Sequence, residues 1–456
     1  MHTDAQKQSV LLVSTVASFL TPFMGSSINI ALPSIGYEFV MDAVLLGWVS
    51  TSYLLAAAML LVPFGRIADI YGRKKIFVYG ISIYTLASLL SALSPSALVL
   101  IAFRVLQGIG SAMIFGTGVA MLTSAFPAGE RGKALGINVA ATYLGLSIGP
   151  FLGGVLTQQL GWRSIFFANV PLGLFVIALT LWKLKGEWAE ARGERFDITG
   201  SILYSLTLVA IMYGFSQLPT MTGVWLILLG LVGFGGFVQW EMKRESPVFN
   251  ILLFRDNRVF MFSNLAALIN YSATFAVAFL LSLYLQYIKG LSPQQTGFIM
   301  VTQPVMMTAF SPFAGWLSDR IEPQIVASVG MTLTAIGLTL FAFLSKTTVL
   351  GFIVAVLIIL GIGFALFSSP NTNAVMGSVE RRFYGVASAT VGTMRLVGMM
   401  FSMGIAMLVF ALYIGRVQIT PEYYPFFLKG MKIAVIVFAV LSFAGIFASL
   451  ARGKVR

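Results

Sequence analysis

The chain has 456 residues, 58% of them hydrophobic and 10% charged, with 29 Lys and Arg against 16 Asp and Glu. A soluble domain carries about 25% charged residues, so this chain has too little polar surface to wet itself, and its solvent is lipid. There is no cysteine and the one histidine is His2, which excludes disulfides, thiolate nucleophiles, histidine bases and Cys or His metal sites.

The net charge of +13 collects into no basic block, so it argues for membrane topology rather than a nucleic-acid partner. No metal and no cofactor is expected, and an enzyme is not. Many of the 45 glycines fit helices that must approach closely where lipid supplies no hydrophobic drive.

In chain order, apolar stretches long enough for a hydrocarbon core of roughly 30 Å fall near 10–33, 44–64, 76–94, 98–121, 134–156, 164–182, 198–217, 223–240, 259–286, 295–316, 324–344, 350–370, 384–413 and 431–450. That predicts an all-α integral membrane protein of fourteen transmembrane helices. The first stretch runs on without a small-residue cleavage site, so it reads as a retained span. Lys and Arg set the orientation. With both termini cytoplasmic, 21 of the 29 fall in cytoplasmic segments and six outside, while Arg104 and Arg395 lie within spans. The cell (inner) membrane is the expected location.

Three short patterns recur. Gly65-Arg-Ile-Ala-Asp69 closes the second stretch and Gly315-Trp-Leu-Ser-Asp319, followed by Arg320, closes the tenth. Gly108-Ile-Gly110 returns as Gly361-Ile-Gly363, and Glu130-Arg131 as Glu380-Arg381. Offsets near 250 residues predict two related six-helix bundles, residues 1–185 and 259–456, with two inserted linker helices in 186–258. Parallel repeats of this kind enclose a substrate cavity between the halves of a rocking transporter.

The segment Gly65-Arg-Ile-Ala-Asp69-Ile-Tyr-Gly72-Arg73-Lys-Lys75 resembles the loop signature of the major facilitator superfamily. Arg104-Val-Leu-Gln107-Gly108-Ile-Gly110 resembles its fourth-helix signature, and Gly145-Leu-Ser-Ile-Gly149-Pro150-Phe-Leu-Gly153-Gly154 the fifth-helix signature of its antiporters. Finer marks (Gly161-Trp-Arg163, Asp197-Ile-Thr-Gly200, Asn29-Ile-Ala-Leu-Pro33) are similar to the fourteen-helix drug–proton antiporter family, of multidrug efflux type. The resemblance implies a major facilitator fold that exports small amphipathic molecules by alternating access, with proton linkage. It implies that Gly65, Asp69, Gly72 and Arg73, with Gly315, Asp319 and Arg320, gate the cytoplasmic side by latching the halves while the protein is open outward.

The chain departs from that pattern at Met24, where the family carries an aspartate. All sixteen acids fall in loops, termini or helix ends, so the deep charges are positive. A guanidinium inside a span costs about 2.5–3.5 kcal/mol, so Arg104 should face a wet cavity or an acceptor, with Gln107 on its own helix face. A cavity whose deep charges are Arg104 and Arg395 favours neutral, zwitterionic or anionic amphiphiles, with any proton coupling left to end carboxylates, Asp69 foremost. Met24→Asp should then improve cation handling. Further cavity candidates are Asn29, Tyr53, Asn138, Tyr143, Asn270, Tyr271, Gln286, Gln303, Asn371 and Asn373. The alternative function is a lipid, glycolipid or metabolite exporter of the same fold without conventional carboxylate coupling. Membrane lipid, substrate and protons are the expected partners of a monomer.

Overall fold

A computed structural model of the chain describes residues 4–184, 186–244, 248–249, 251–380 and 384–453. Every regular element among them is helical. The first group comprises α1 (Asp4–Glu38), α2 (Ala43–Tyr71), α3 (Arg73–Ala92), α4 (Ala97–Ala125), α5 (Ala128–Leu160) and α6 (Arg163–Lys183). A hairpin follows, α7 (Ile198–Gln217) and α8 (Met221–Glu241), then the short α9 (Ile251–Asp256). The second group comprises α10 (Arg258–Leu283), α11 (Pro293–Met300), α12 (Thr302–Ser318), α13 (Pro323–Phe341), α14 (Leu350–Gly377), α15 (Tyr384–Tyr413) and α16 (Tyr424–Ala451).

Short polar residues start these helices by capping free amides. Asp42 accepts from Leu45 N at 2.7 Å, Asn257 from Phe260 N at 2.9 Å, and Asp197 from Gly200 N at 3.0 Å. Among the described residues, 13 helices are long and apolar enough to cross a membrane. The expected stretch 295–316 is not among them because it is two helices, α11 of 8 residues and α12 of 17, meeting at Val301. Pro304 contributes to the break. It has no N–H for the carbonyl of Met300, and its ring crowds that carbonyl, which weakens the ladder where the two helices meet.

The repeated glycines pack alike. Gly108 of α4 abuts the Tyr53 carbonyl of α2, and Gly361 of α14 abuts the Gln303 carbonyl of α12. Gly110 meets Gly80 of α3 as Gly363 meets Gly330 of α13. In the third pair Glu130 binds Lys7 at 2.8 Å, whereas Arg381 lies outside the described residues. Of the residues expected to set orientation, Lys185, Arg382, Lys454 and Arg456 also lie outside them.

The two groups join at the end of the bundle remote from the termini. Ala43 N donates to Val417 O at 3.1 Å, Ser282 Oγ to Asn29 O at 2.6 Å, and Gln286 Nε2 to Ile30 O at 3.0 Å. The antiporter-like glycines divide this labour. Gly145, Gly149 and Gly153 face Phe19, Phe23 and Ser27 of α1, making a groove for that helix. Gly154 instead faces the second group, where a Cβ would lie 2.6 Å from the Pro293 carbonyl oxygen. Gly297 answers it by packing on the carbonyl of Pro150.

Candidate gate and substrate cavity

The loop between α2 and α3 is built around one buried guanidinium. Gly72, at φ 120°, turns the chain where a side chain would be strained. Arg73, next to it, donates from Nε to Asp69 at 2.8 Å and binds both oxygens of Glu190 at 2.7 and 3.0 Å. Its third partner is Ser124 of α4. Glu187 accepts the amides of Lys74 and Lys75 at 2.7 and 3.1 Å, placing a carboxylate on the positive end of α3. Arg66 pairs with Glu194, and the backbones join through Ala191 N to Asp69 O at 2.9 Å. The segment 187–194 is therefore strapped across the loop. Sequence reading counted Glu187, Glu190 and Glu194 only as loop acids; their spacing of three and four, matched to a basic run, is the signal that identifies them.

In the second group, Gly315 lies against Ser369, and Arg320 stacks on Trp316 with its guanidinium 4.1 Å from the ring centroid. Asp319 closes α12, and Asn373 donates to Ser318 at 2.6 Å. Gly65 lies against Gly116 of α4.

Of the two surroundings expected for Arg104, the structure supplies the acceptor. Arg104 is 1% exposed, donates from Nε to the Val49 carbonyl at 3.0 Å, bonds Gln107, and covers the Tyr53 ring at 4.4 Å. Gln107 passes the chain to Ser88 at 2.7 Å, and the Tyr53 hydroxyl meets Ser111 at 2.6 Å. This is a closed network inside the first group. Asn138 is likewise taken up by packing, donating to Ser14 O at 3.1 Å and Ser18 Oγ at 2.8 Å.

Arg395 is placed differently. It is half-buried on α15, its guanidinium 5.2 Å from the Tyr271 ring centroid, and its Nε has no hydrogen-bond partner. Tyr143 of α5 reaches Ser368 of α14 at 3.5 Å and lies close enough to Arg395 to interact with its charge. The cluster Arg395–Tyr271–Ser368–Tyr143 thus draws on both groups. Around it, Asn270 is fully buried with neither end of its amide bonded, while Asn371 donates to Ser263 O at 3.1 Å and leaves its oxygen free. Asn29 also keeps an unpartnered side-chain oxygen. Gln286 is spent on Ile30 and Ser282, and half-buried Gln303 opens α12.

Each described acidic side chain sits in a connection or an end turn, as expected. Met24 corrects the sequence reading. It is fully buried and its sulfur takes the Asn169 amide at 3.3 Å, so an acid there would meet the packing of α6 instead of incoming cations.

A family model described as Major Facilitator Superfamily matches residues 15–240 and 264–455. The riboflavin transporter RibZ of Clostridioides difficile is 31% identical, over 88% of this chain and 87% of its own. The multidrug resistance protein Stp of Mycobacterium tuberculosis is 31% identical, over 86% and 74%. Among solved structures, an inward-facing, unoccupied bacterial homologue of the human lysosomal transporter Spinster superposes with a TM-score of 0.69 at 17% identity, covering 99% of this chain and 98% of that one.

Proposed function

The chain belongs to the major facilitator superfamily, and on that premise we propose that it is a secondary active transporter exporting amphipathic small molecules by alternating access. In this reading α11 and α12 together make a fourteenth crossing, residues 1–185 and 259–456 are the moving halves, and 186–258 is an insertion. The termini face the cytoplasm of a cell (inner) membrane, as the Lys and Arg bias favours. The protein works as a monomer in lipid, without nucleic acid.

The observation carrying the reading is the Arg395–Tyr271–Ser368–Tyr143 cluster, shared by two groups that touch at the far end. With the far end external, the structure is closed outward. The loop charges are then off duty as an inter-half latch, Arg73 resting on Glu190. A fork of donors beside two tyrosines suits the carbonyl, enolate or carboxylate of an aromatic amphiphile better than a dication. Proton linkage, where it operates, runs through Asp69 and its partners at the membrane edge.

The test is reconstitution into liposomes with an imposed pH gradient, presenting a dicationic dye, a neutral drug and a labelled lipid in parallel. Gradient-driven efflux of the neutral drug is the expected result; vigorous efflux of the dication would defeat the cavity reading. The second reading, a metabolite or lipid exporter, is favoured by the riboflavin transporter among the relatives and by the lack of deep acids. Labelled lipid or vitamin moving faster than drug would select it.

A further inference from the structure

The two groups meet along two lateral seams, one between α2 and α15, the other between α5 and the α11–α12 pair, and the two are finished differently. The first is covered by α7. Near its start Tyr204 and Ser205 donate to the carbonyls of Ala58 and Met59 on α2, each at 3.0 Å. Farther along, Met212 packs on Gly404 of α15, and Phe215 meets Phe401 edge-on with centroids 6.2 Å apart. Arg416, just past α15, donates to Gln217 at 3.1 Å. One helix thus bonds to both sides of the joint.

The second seam has no such cover. Among the described residues, α5 packs on α1, α4, α6, α11 and α12, and α12 on α5, α11, α13 and α14; the hairpin is not a neighbour. What lies there is an apolar crevice of about 420 Å³ walled by Leu144, Ile148, Phe151, Val301, Val305 and Ala309. Leu144 and Val305 are half-exposed on helices that stand in lipid. At its floor one hydroxyl pair, Ser147 and Thr308 at 3.1 Å, crosses from group to group. One helical turn along α5 from Ser147 is Tyr143, which begins the Arg395 cluster.

We infer that the α7–α8 hairpin seals one seam so that the other serves as a lateral port, through which a bilayer-dissolved amphiphile passes to the Tyr143–Arg395 cluster. The inference rests on the transport reading above. Its occupant is a lipophilic small molecule, since the walls are apolar, the volume suits a drug-sized body, and the polar contact at the floor is a weak Ser147–Thr308 hydroxyl pair. Partition into the bilayer concentrates such a molecule at the port, with each buried CH₂ favouring lipid by about 0.8 kcal/mol. The crossing at Val301 helps. A helix already broken beside the port can yield there without unwinding a continuous ladder.

The test exploits the absence of native cysteine. Single variants Leu144→Cys and Ala309→Cys, at the port, and Met59→Cys and Phe401→Cys, under α7, are reconstituted and treated with pyrene-maleimide dissolved in the bilayer. Port positions should be modified about tenfold faster than covered ones, a difference of about 1.4 kcal/mol in barrier. Equal labelling at both seams overturns the seal. Separately, Ala309→Trp should slow transport of Nile red, a neutral bilayer-soluble dye, about tenfold while leaving its melting temperature unchanged. Wild-type transport in that variant overturns the port. The labelling contrast needs no transport, so a wild type that moved no dye would count against the transport reading, while the seal would still be judged on labelling.

Discussion

Arg104 and Arg395 carry the same guanidinium into two membrane-crossing helices and end in opposite conditions. Arg104 is enclosed by one group, bonded to a carbonyl and an amide, and stacked on a tyrosine. Arg395 stands where two groups meet, half-buried against Tyr271, with its Nε left without an acceptor. An intramembrane charge is expensive in either place. Where the fold satisfies the whole guanidinium, the charge acts as a fastener; where it leaves an N–H over, that donor is available to a substrate. Depth in the span cannot separate these cases. The supply of acceptors can.

The largest expected effect breaks the fastener. Arg104→Ala would strand the Val49 carbonyl and Gln107 and cost about 3 kcal/mol of stability, visible as a lower melting temperature in detergent. A fully stable Arg104→Ala that had lost transport would reverse the contrast. Next comes a third ionised group in an enclosed setting. Met24→Asp buries a carboxyl with one amide at hand and should cost about 2 kcal/mol without improving cation efflux; improved efflux at unchanged stability would restore the sequence-based view of that position.

The open arginine should behave otherwise. Arg395→Ala is expected to shift stability by less than about 1 kcal/mol yet slow efflux of neutral or anionic amphiphiles about tenfold. Arg395→Lys, which lacks the fork, should recover part of that. Wild-type efflux in Arg395→Ala would reduce this residue to a second fastener. The smallest change in folding is expected at Asp69→Asn, because Arg73 keeps Glu190 and Ser124. Its partly exposed ion pair contributes under about 1 kcal/mol, so melting should hardly move. Turnover in liposomes should still fall severalfold, and an unaltered turnover would discredit the gate.

Hydropathy made the helical crossings legible because lipid tolerates little else, and the paired glycines made the repeat legible because each must be small for the same contact. Val301 escaped, since an averaged window sees the same apolar content on both sides of a break. Pro304, three residues on, was the available clue. The site was readable as an inventory and not as an arrangement. Asn138, Asn270, Gln107 and Asn371 are alike in sequence, yet two are consumed by packing, one is unbonded and one half-bonded. Which neighbour an amide meets depends on helix rotation about its axis, and a polar residue leaves no periodic mark of that. The strap 187–194 went unseen for a related reason: the spacing of its acids is visible locally, but nothing local says that their basic partners lie a hundred residues earlier.

The double attachment of α7 has a mechanical corollary. On the alternating-access reading proposed above, a member tied to α2 near one end and to α15 near the other would not stay at rest relative to both as the two rocked apart. In each such cycle one set of ties would slip and later re-form. The hairpin would then act as a damper on the swing, and loosening its grip on Arg416 should make the cycle faster and leakier at once.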